Sequence, residues 1–89
     1  MAASVEVRAA NLEDARDAGA VVMLLDAYAR DPRGGGEPLS QAVRERLVPG
    51  LKTHPTSRVW LAFEADQPVG VCVAFGGFST FRAMPLLNI

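Results

Sequence analysis

The stretch 58–75 constrains the fold more than any other part of the chain. Val59, Leu61, Phe63 and Ala65 alternate with Arg58, Trp60, Ala62 and Glu64. After the turn residues Asp66, Gln67 and Pro68 the alternation resumes with Val69, Val71, Val73 and Phe75 on one face. Period-2 alternation marks a strand with one face on a core, and a connection this short joins antiparallel neighbours. The chain is therefore expected to contain an antiparallel hairpin, which excludes an all-helical fold. Val5, Glu6, Val7, Arg8 and Ala9 alternate in the same way and predict a first strand with one face on the core.

Between these strands the apolar period changes from two to three and four. Ala15, Ala18, Val21, Val22, Leu25, Tyr28 and Ala29 form one stripe, with Glu13, Arg16, Asp17 and Arg30 largely off it. Asn11 before Leu12, Glu13 and Asp14 reads as a cap followed by first-turn carboxylates, so the helix is expected to start there. Asp31 precedes Pro32 and is pushed out of helical angles, which ends the helix near Arg30. The loop 31–38 holds Gly34, Gly35 and Gly36 and reads as mobile. Ser40 caps a second helix with Val43, Leu47 and Leu51 on its apolar side, and Pro49 predicts a kink or break near Val48. Gly76 and Gly77 interrupt the last hairpin strand before Phe78, Ser79, Thr80 and Phe81, and after Pro85 a further strand begins.

The composition suits one small globular unit. Eighty-nine residues, 49% hydrophobic and 21% charged, can bury on the order of 60% of the unfolded chain's surface and leave no room for two domains. Nine Lys and Arg against ten Asp and Glu give a net charge of -1, without the basic excess that nucleic-acid backbones or anionic membranes attract. The longest apolar run falls far short of a membrane span. The lone Cys72 has no internal disulfide partner, which with the absence of a leader pattern points to a soluble protein of the reducing cytoplasm.

No strong catalytic or metal motif is present. The Arg33-Gly34-Gly35-Gly36 cluster follows a helix rather than a strand and lacks the Lys-Ser/Thr ending of a phosphate loop. His54 lies in a polar segment at no motif spacing and reads as a surface histidine. Cys72 reads as a small core residue, and Glu64 as a solvated carboxylate. Tyr28 and the aromatic pair Phe78 and Phe81, flanking Ser79 and Thr80, are the residues expected to line a concavity beside the glycine loop.

The segments 25–32 (Leu-Asp-Ala-Tyr-Ala-Arg-Asp-Pro), Gly34-Gly35-Gly36 with Leu39, Trp60-Leu61-Ala62-Phe63, Pro68-Val69-Gly70, and Phe78-Ser79-Thr80-Phe81 to Pro85-Leu86-Leu87-Asn88-Ile89 carry a resemblance. In this order the chain resembles, over its whole length, the N-terminal half of the GNAT superfamily of acyl-CoA-dependent N-acetyltransferases, in one bacterial subgroup. The resemblance implies an α+β fold with a mixed sheet, ordered β1-α1-α2-β2-β3 and the start of β4, as a single partial domain over 1–89. It implies acetyl transfer from acetyl-CoA to a primary amine of a small molecule or peptide, with Tyr28, Asp31, Phe78, Ser79 and Thr80 bordering the acceptor entrance. Asn88 stands nearest the position where some members carry a carboxylate base. In the family the CoA pyrophosphate sits on an Arg/Gln-x-x-Gly-x-Gly turn at a helix N-terminus. These residues contain no such turn, so the chain alone is expected to be inactive.

The segment Leu86 to Ile89 is apolar and uncharged, and is expected to pair with another copy or another segment, since free edges are usually blunted by charge. Two other function classes fit the residues. One is a non-catalytic module that pairs through this open edge with another chain. The other is an unrelated small α+β ligand-binding domain.

Overall fold

The computed structural model describes residues 4–89. The elements run β1 (Val5–Ala9), α1 (Ala15–Arg30), a single 3-10 turn (Pro32–Gly34), α2 (Gln41–Thr53), β2 (Ser57–Glu64), β3 (Gln67–Ser79) and β4 (Met84–Asn88). The fold is α+β, as expected. The sheet has four strands in chain order, β1-β2-β3-β4, and every pairing is antiparallel, so it is not mixed. A fourth strand pairs with β3, which continues through Gly76 and Gly77 to Ser79, where it meets Met84. The glycines bend the alternation in sequence without ending the strand.

The hairpin register confirms the face assignment in β2. Val59 and Leu61 join Ala20, Val21 and Leu51 in the core, with Phe63, Val71, Val73 and Phe75 packed around them. The turn is tighter than the expected Asp66 to Pro68. Glu64 pairs with Gln67, so Ala65 and Asp66 alone reverse the chain, both left-handed at φ 49° and 64°. That geometry matches the right-handed strand twist and is why a two-residue loop suffices. Val69 falls at a register shift opposite Ala62 and Phe63 and is half exposed rather than on the core face.

Three further expectations change. Helix α1 starts at Ala15, because Asp14 Oδ1 accepts the Arg16 N–H at 2.9 Å. Asn11 instead closes the preceding turn by accepting from Glu13 N–H at 3.1 Å. Helix α2 starts under Ser40, whose Oγ accepts from Val43 N–H at 3.2 Å, and continues through Pro49 without a break. Pro49 and Glu45 are both exposed, so the carbonyl that loses its N–H partner lies on the solvent side. Val43 is 46% exposed, and only Leu51 of this helix is buried.

The third change concerns β1. Its alternation is real, but Val5 and Val7 point away from the helices and are 55% and 65% exposed, while Glu6 and Arg8 take the helix side. The reason is Asp17, expected off the apolar stripe and found 3% exposed. A buried carboxylate requires a partner, and Arg8 on the inner face of β1 supplies it.

Candidate functional site

The Arg8–Asp17 pair lines a concavity of about 350 Å³ between β1, α1 and the β2–β3 turn. Arg8 grips Asp17 with two parallel bonds, Nη1 to Oδ2 at 2.7 Å and Nη2 to Oδ1 at 2.8 Å. Asp17 Oδ2 also accepts the Asn11 backbone N–H at 2.8 Å, and the guanidinium carbon stands 4.5 Å over the Phe63 ring. The Arg8 bond, with the Asn11 N–H and the nearby positive charge, holds the Asp17 carboxyl down at about 2, against the opposing effect of burial. The same bond raises Arg8 above the ordinary arginine value. A pair so firmly ionised holds no proton to exchange at neutral pH. It works as a latch that ties the end of β1 to the first turn of α1. Glu6, Asp14, Arg16 and Asp66 form a rim of mixed charge around it. A smaller concavity of about 200 Å³ lies at the other end of β2, between Leu12, Arg58 and Trp60.

The six residues expected at the acceptor entrance fall into two groups. Helices α1 and α2 form an antiparallel pair: Lys52 Nζ meets Glu13 Oε1 at 3.1 Å at one end, and Asp26 Oδ1 accepts the Leu39 N–H at 2.8 Å at the other. His54, just past α2, packs edge-on to Phe75 with ring centroids 4.9 Å apart. The end of β3 beyond Phe75 therefore lies at the Glu13–Lys52 end. Phe78, Ser79 and Thr80 belong there, with Asn88 paired to Phe75 in β4. Tyr28 and Asp31 sit at the opposite end, past a 16-residue helix about 24 Å long. None of the six lines either concavity.

At the helix turn the geometry is fixed locally. The Asp31 N–H donates to Tyr28 O at 3.1 Å, and Asp31 Oδ1 accepts from Arg33 N–H at 2.9 Å and from Arg33 Nε at 3.2 Å. Arg33 holds the Asp31 carboxyl below its ordinary value. Tyr28 is 61% exposed beside it. Of the glycine loop, Pro32–Gly34 forms a 3-10 turn. A Cβ on Gly34 would collide with the Tyr28 carbonyl oxygen and stand 2.9 Å from its ring, and Gly35 has φ 118°. These two glycines let the loop close against Tyr28. At the other end Ser79 Oγ accepts from Arg82 N–H at 3.3 Å inside the β3–β4 turn, Phe78 is 62% exposed, and Phe81 is fully exposed. Phe78 and Phe81 thus project from the hairpin rather than floor a pocket.

His54 is exposed, as expected, and Glu64 is exposed. Cys72 is half-buried on the sheet face away from the helices, not in the core, because it pairs with Trp60 rather than with a core position. Among the described residues no group of three or more His, Cys, Asp or Glu is arranged to hold a metal ion. No helix among them is long and apolar enough to cross a membrane. The sequence reading missed the Arg8–Asp17 latch. Its available signal was Arg8, which with Glu6 makes up the charged side of β1.

The helix N-termini do not fit a CoA pyrophosphate. Helix α1 opens on Asp14, whose carboxylate already takes the Arg16 N–H, with Asp17 in its first turn. Helix α2 opens on Glu37, Pro38, Leu39 and Ser40, and Ser40 already takes the Val43 N–H. No family model matches the chain, and no curated protein matches it.

Proposed function

We propose that the chain is the acceptor side of a GNAT-like N-acetyltransferase, contributing amine recognition to acetyl transfer from acetyl-CoA to a primary amine. The observation that supports this reading is the element order: both helices lie in the first crossover, followed by three strands that add antiparallel in chain order. An acceptor of one residue's size reaches only one end of the helix pair. The reading puts it at the α1–α2 turn, where the exposed Tyr28 ring and the ionised Asp31 carboxylate together suit an ammonium group. Phe78, Ser79, Thr80 and Asn88 then border a more extended acceptor, such as a peptide. The Asn88 amide accepts no proton at neutral pH, so this chain's role is positioning rather than deprotonation.

The 89-residue chain is expected to leave its thermal transition unmoved by acetyl-CoA. A ligand at 100 times its dissociation constant would stabilise the native state by about 2.7 kcal/mol, which differential scanning fluorimetry detects readily. A clear upward shift would show that these residues hold the cofactor and would overturn the division of labour proposed.

A second reading, a non-catalytic module that pairs through its sheet edge, draws on β4. All five of its residues are exposed, none is charged, and one of its edges has no neighbour among the described residues. The reading frame past Ile89 separates the two: a basic glycine-rich turn there belongs to the first reading only.

A further inference from the structure

Around the Arg8–Asp17 concavity the charged groups are matched unevenly. Near the start of α1 both carboxylates are satisfied, Asp17 by Arg8 and the Asn11 N–H, and Asp14 by the Arg16 N–H. The donors there are not. Arg8 commits Nη1 and Nη2 to the two Asp17 oxygens, and Nη1 also donates to the Ala9 carbonyl at 3.3 Å. Of the five N–H donors of an arginine this leaves Nε–H and the second Nη2–H, side by side on one edge of the guanidinium, with no acceptor among the described residues. The Arg16 guanidinium lines the same concavity and has no ion-pair partner among those residues. Towards the hairpin turn the imbalance is reversed. Glu6 pairs across the sheet with Phe63 and Arg8 with Leu61, so Glu6 stands nearer the Ala65–Asp66 turn, whose Asp66 is also part of the lining. Glu6 and Asp66 are exposed carboxylates without an ion-pair partner among the described residues. Met23 and Phe63 add apolar lining.

We propose that this concavity binds a small ω-amino acid, with its carboxylate on the free edge of Arg8, its ammonium at Glu6 and Asp66, and its methylene chain against Phe63 and Met23. The two-ended imbalance selects that class. A carboxylate on the free edge makes two parallel bonds, as Asp17 does on the other edge. An anion alone is set against Glu6 and Asp66, and a cation alone against Arg8 and Arg16, so a ligand with one charge meets repulsion at one end. Glu6 and Arg8 project from one side of β1 about 7 Å apart, two residues along the strand. A chain of about five methylenes spans that distance. This site is distinct from the Tyr28–Asp31 end of the helix pair, and neither reading depends on the other.

The test titrates the 89-residue chain with ε-aminocaproate and follows backbone amide shifts, with caproate and hexylamine as single-charge controls. The expected result is saturable shifts at Glu6, Arg8, Gly19 and Asp66 that neither control produces at the same concentration. Glu6→Gln, Asp66→Asn and Arg16→Gln should each raise the dissociation constant about two- to fivefold, the effect of one partly exposed ion pair. Asn tolerates the left-handed backbone at position 66. In the Glu6→Gln, Asp66→Asn double variant caproate should bind as well as ε-aminocaproate. Thermal melts establish that each variant is folded, and the three-probe comparison on the wild-type chain decides the matter if one is not. The absence of saturable shifts at these amides, an equal response to either control, or a folded double variant that keeps its preference for ε-aminocaproate would each overturn the proposal.

Discussion

Asp17→Asn is expected to destabilise the fold by about 2 kcal/mol at pH 7 and by progressively less in acid. Asp17 has a carboxyl at about 2 in the folded chain, against an ordinary 3.8, because Arg8 binds its charged form. A depressed folded-state value means that the native state holds its proton less tightly than the unfolded state does. The stabilisation is then fully present above about pH 5 and is lost as pH falls through 4 toward 2. The shift converts to about 2 kcal/mol. Asp17 is almost fully buried, but 44% of the Arg8 side chain is exposed. Solvent screening therefore keeps the figure below the 3–5 kcal/mol typical of a fully buried pair. Urea titrations of both proteins from pH 7 to pH 2 should give curves that converge at the acid end. A constant gap across that range would show that Asp17 acts by packing and not by charge.

Leu61→Ala should be the more damaging change. Leu61 is 0% exposed in β2 and shares the core with Val21 of α1 and Leu51 of α2. Truncating a buried leucine costs about 2–5 kcal/mol, the spread reflecting how far the site collapses. At roughly 4–8 °C per kcal/mol for a chain of this size, a loss of about 3 kcal/mol lowers the melting temperature by roughly 12–24 °C. Calorimetry checks this directly. A fall of less than about 4 °C would mean that the core is not organised around β2.

How far the residues foretold these features depends on whether the relevant signal was local. The β2–β3 hairpin was legible because both of its faces are written in successive side chains, from Val59 to Phe75. The end of α1 at Arg30 and the Ser40 cap were legible because Pro32 and Ser40 act on their nearest backbone neighbours. What was not legible depended on partners far along the chain. The side of β1 that faces inward is decided by Asp17, nine residues beyond Arg8, and alternation alone is equally compatible with either side. Pro49 is tolerated in α2 because that turn faces solvent, a property of docking rather than of propensity. Gly76 and Gly77 stay in β3 because β4 pairs with them. The six acceptor-entrance residues were grouped by their order in the chain, whereas the antiparallel helix pair carries Tyr28 and Asp31 to one end and Phe78, Ser79, Thr80 and Asn88 to the other.

The acceptor-side reading is tested most directly by following backbone amide shifts of the 89-residue chain as a small primary amine is added. The account predicts fast-exchange shifts that cluster at Tyr28, Asp31 and the Gly34–Gly36 turn, and that vanish when Asp31 is replaced by Asn while the remaining amides stay in place. Shifts confined to the Arg8–Asp17 concavity or to the Phe78–Thr80 end, or no shifts at all, would contradict it.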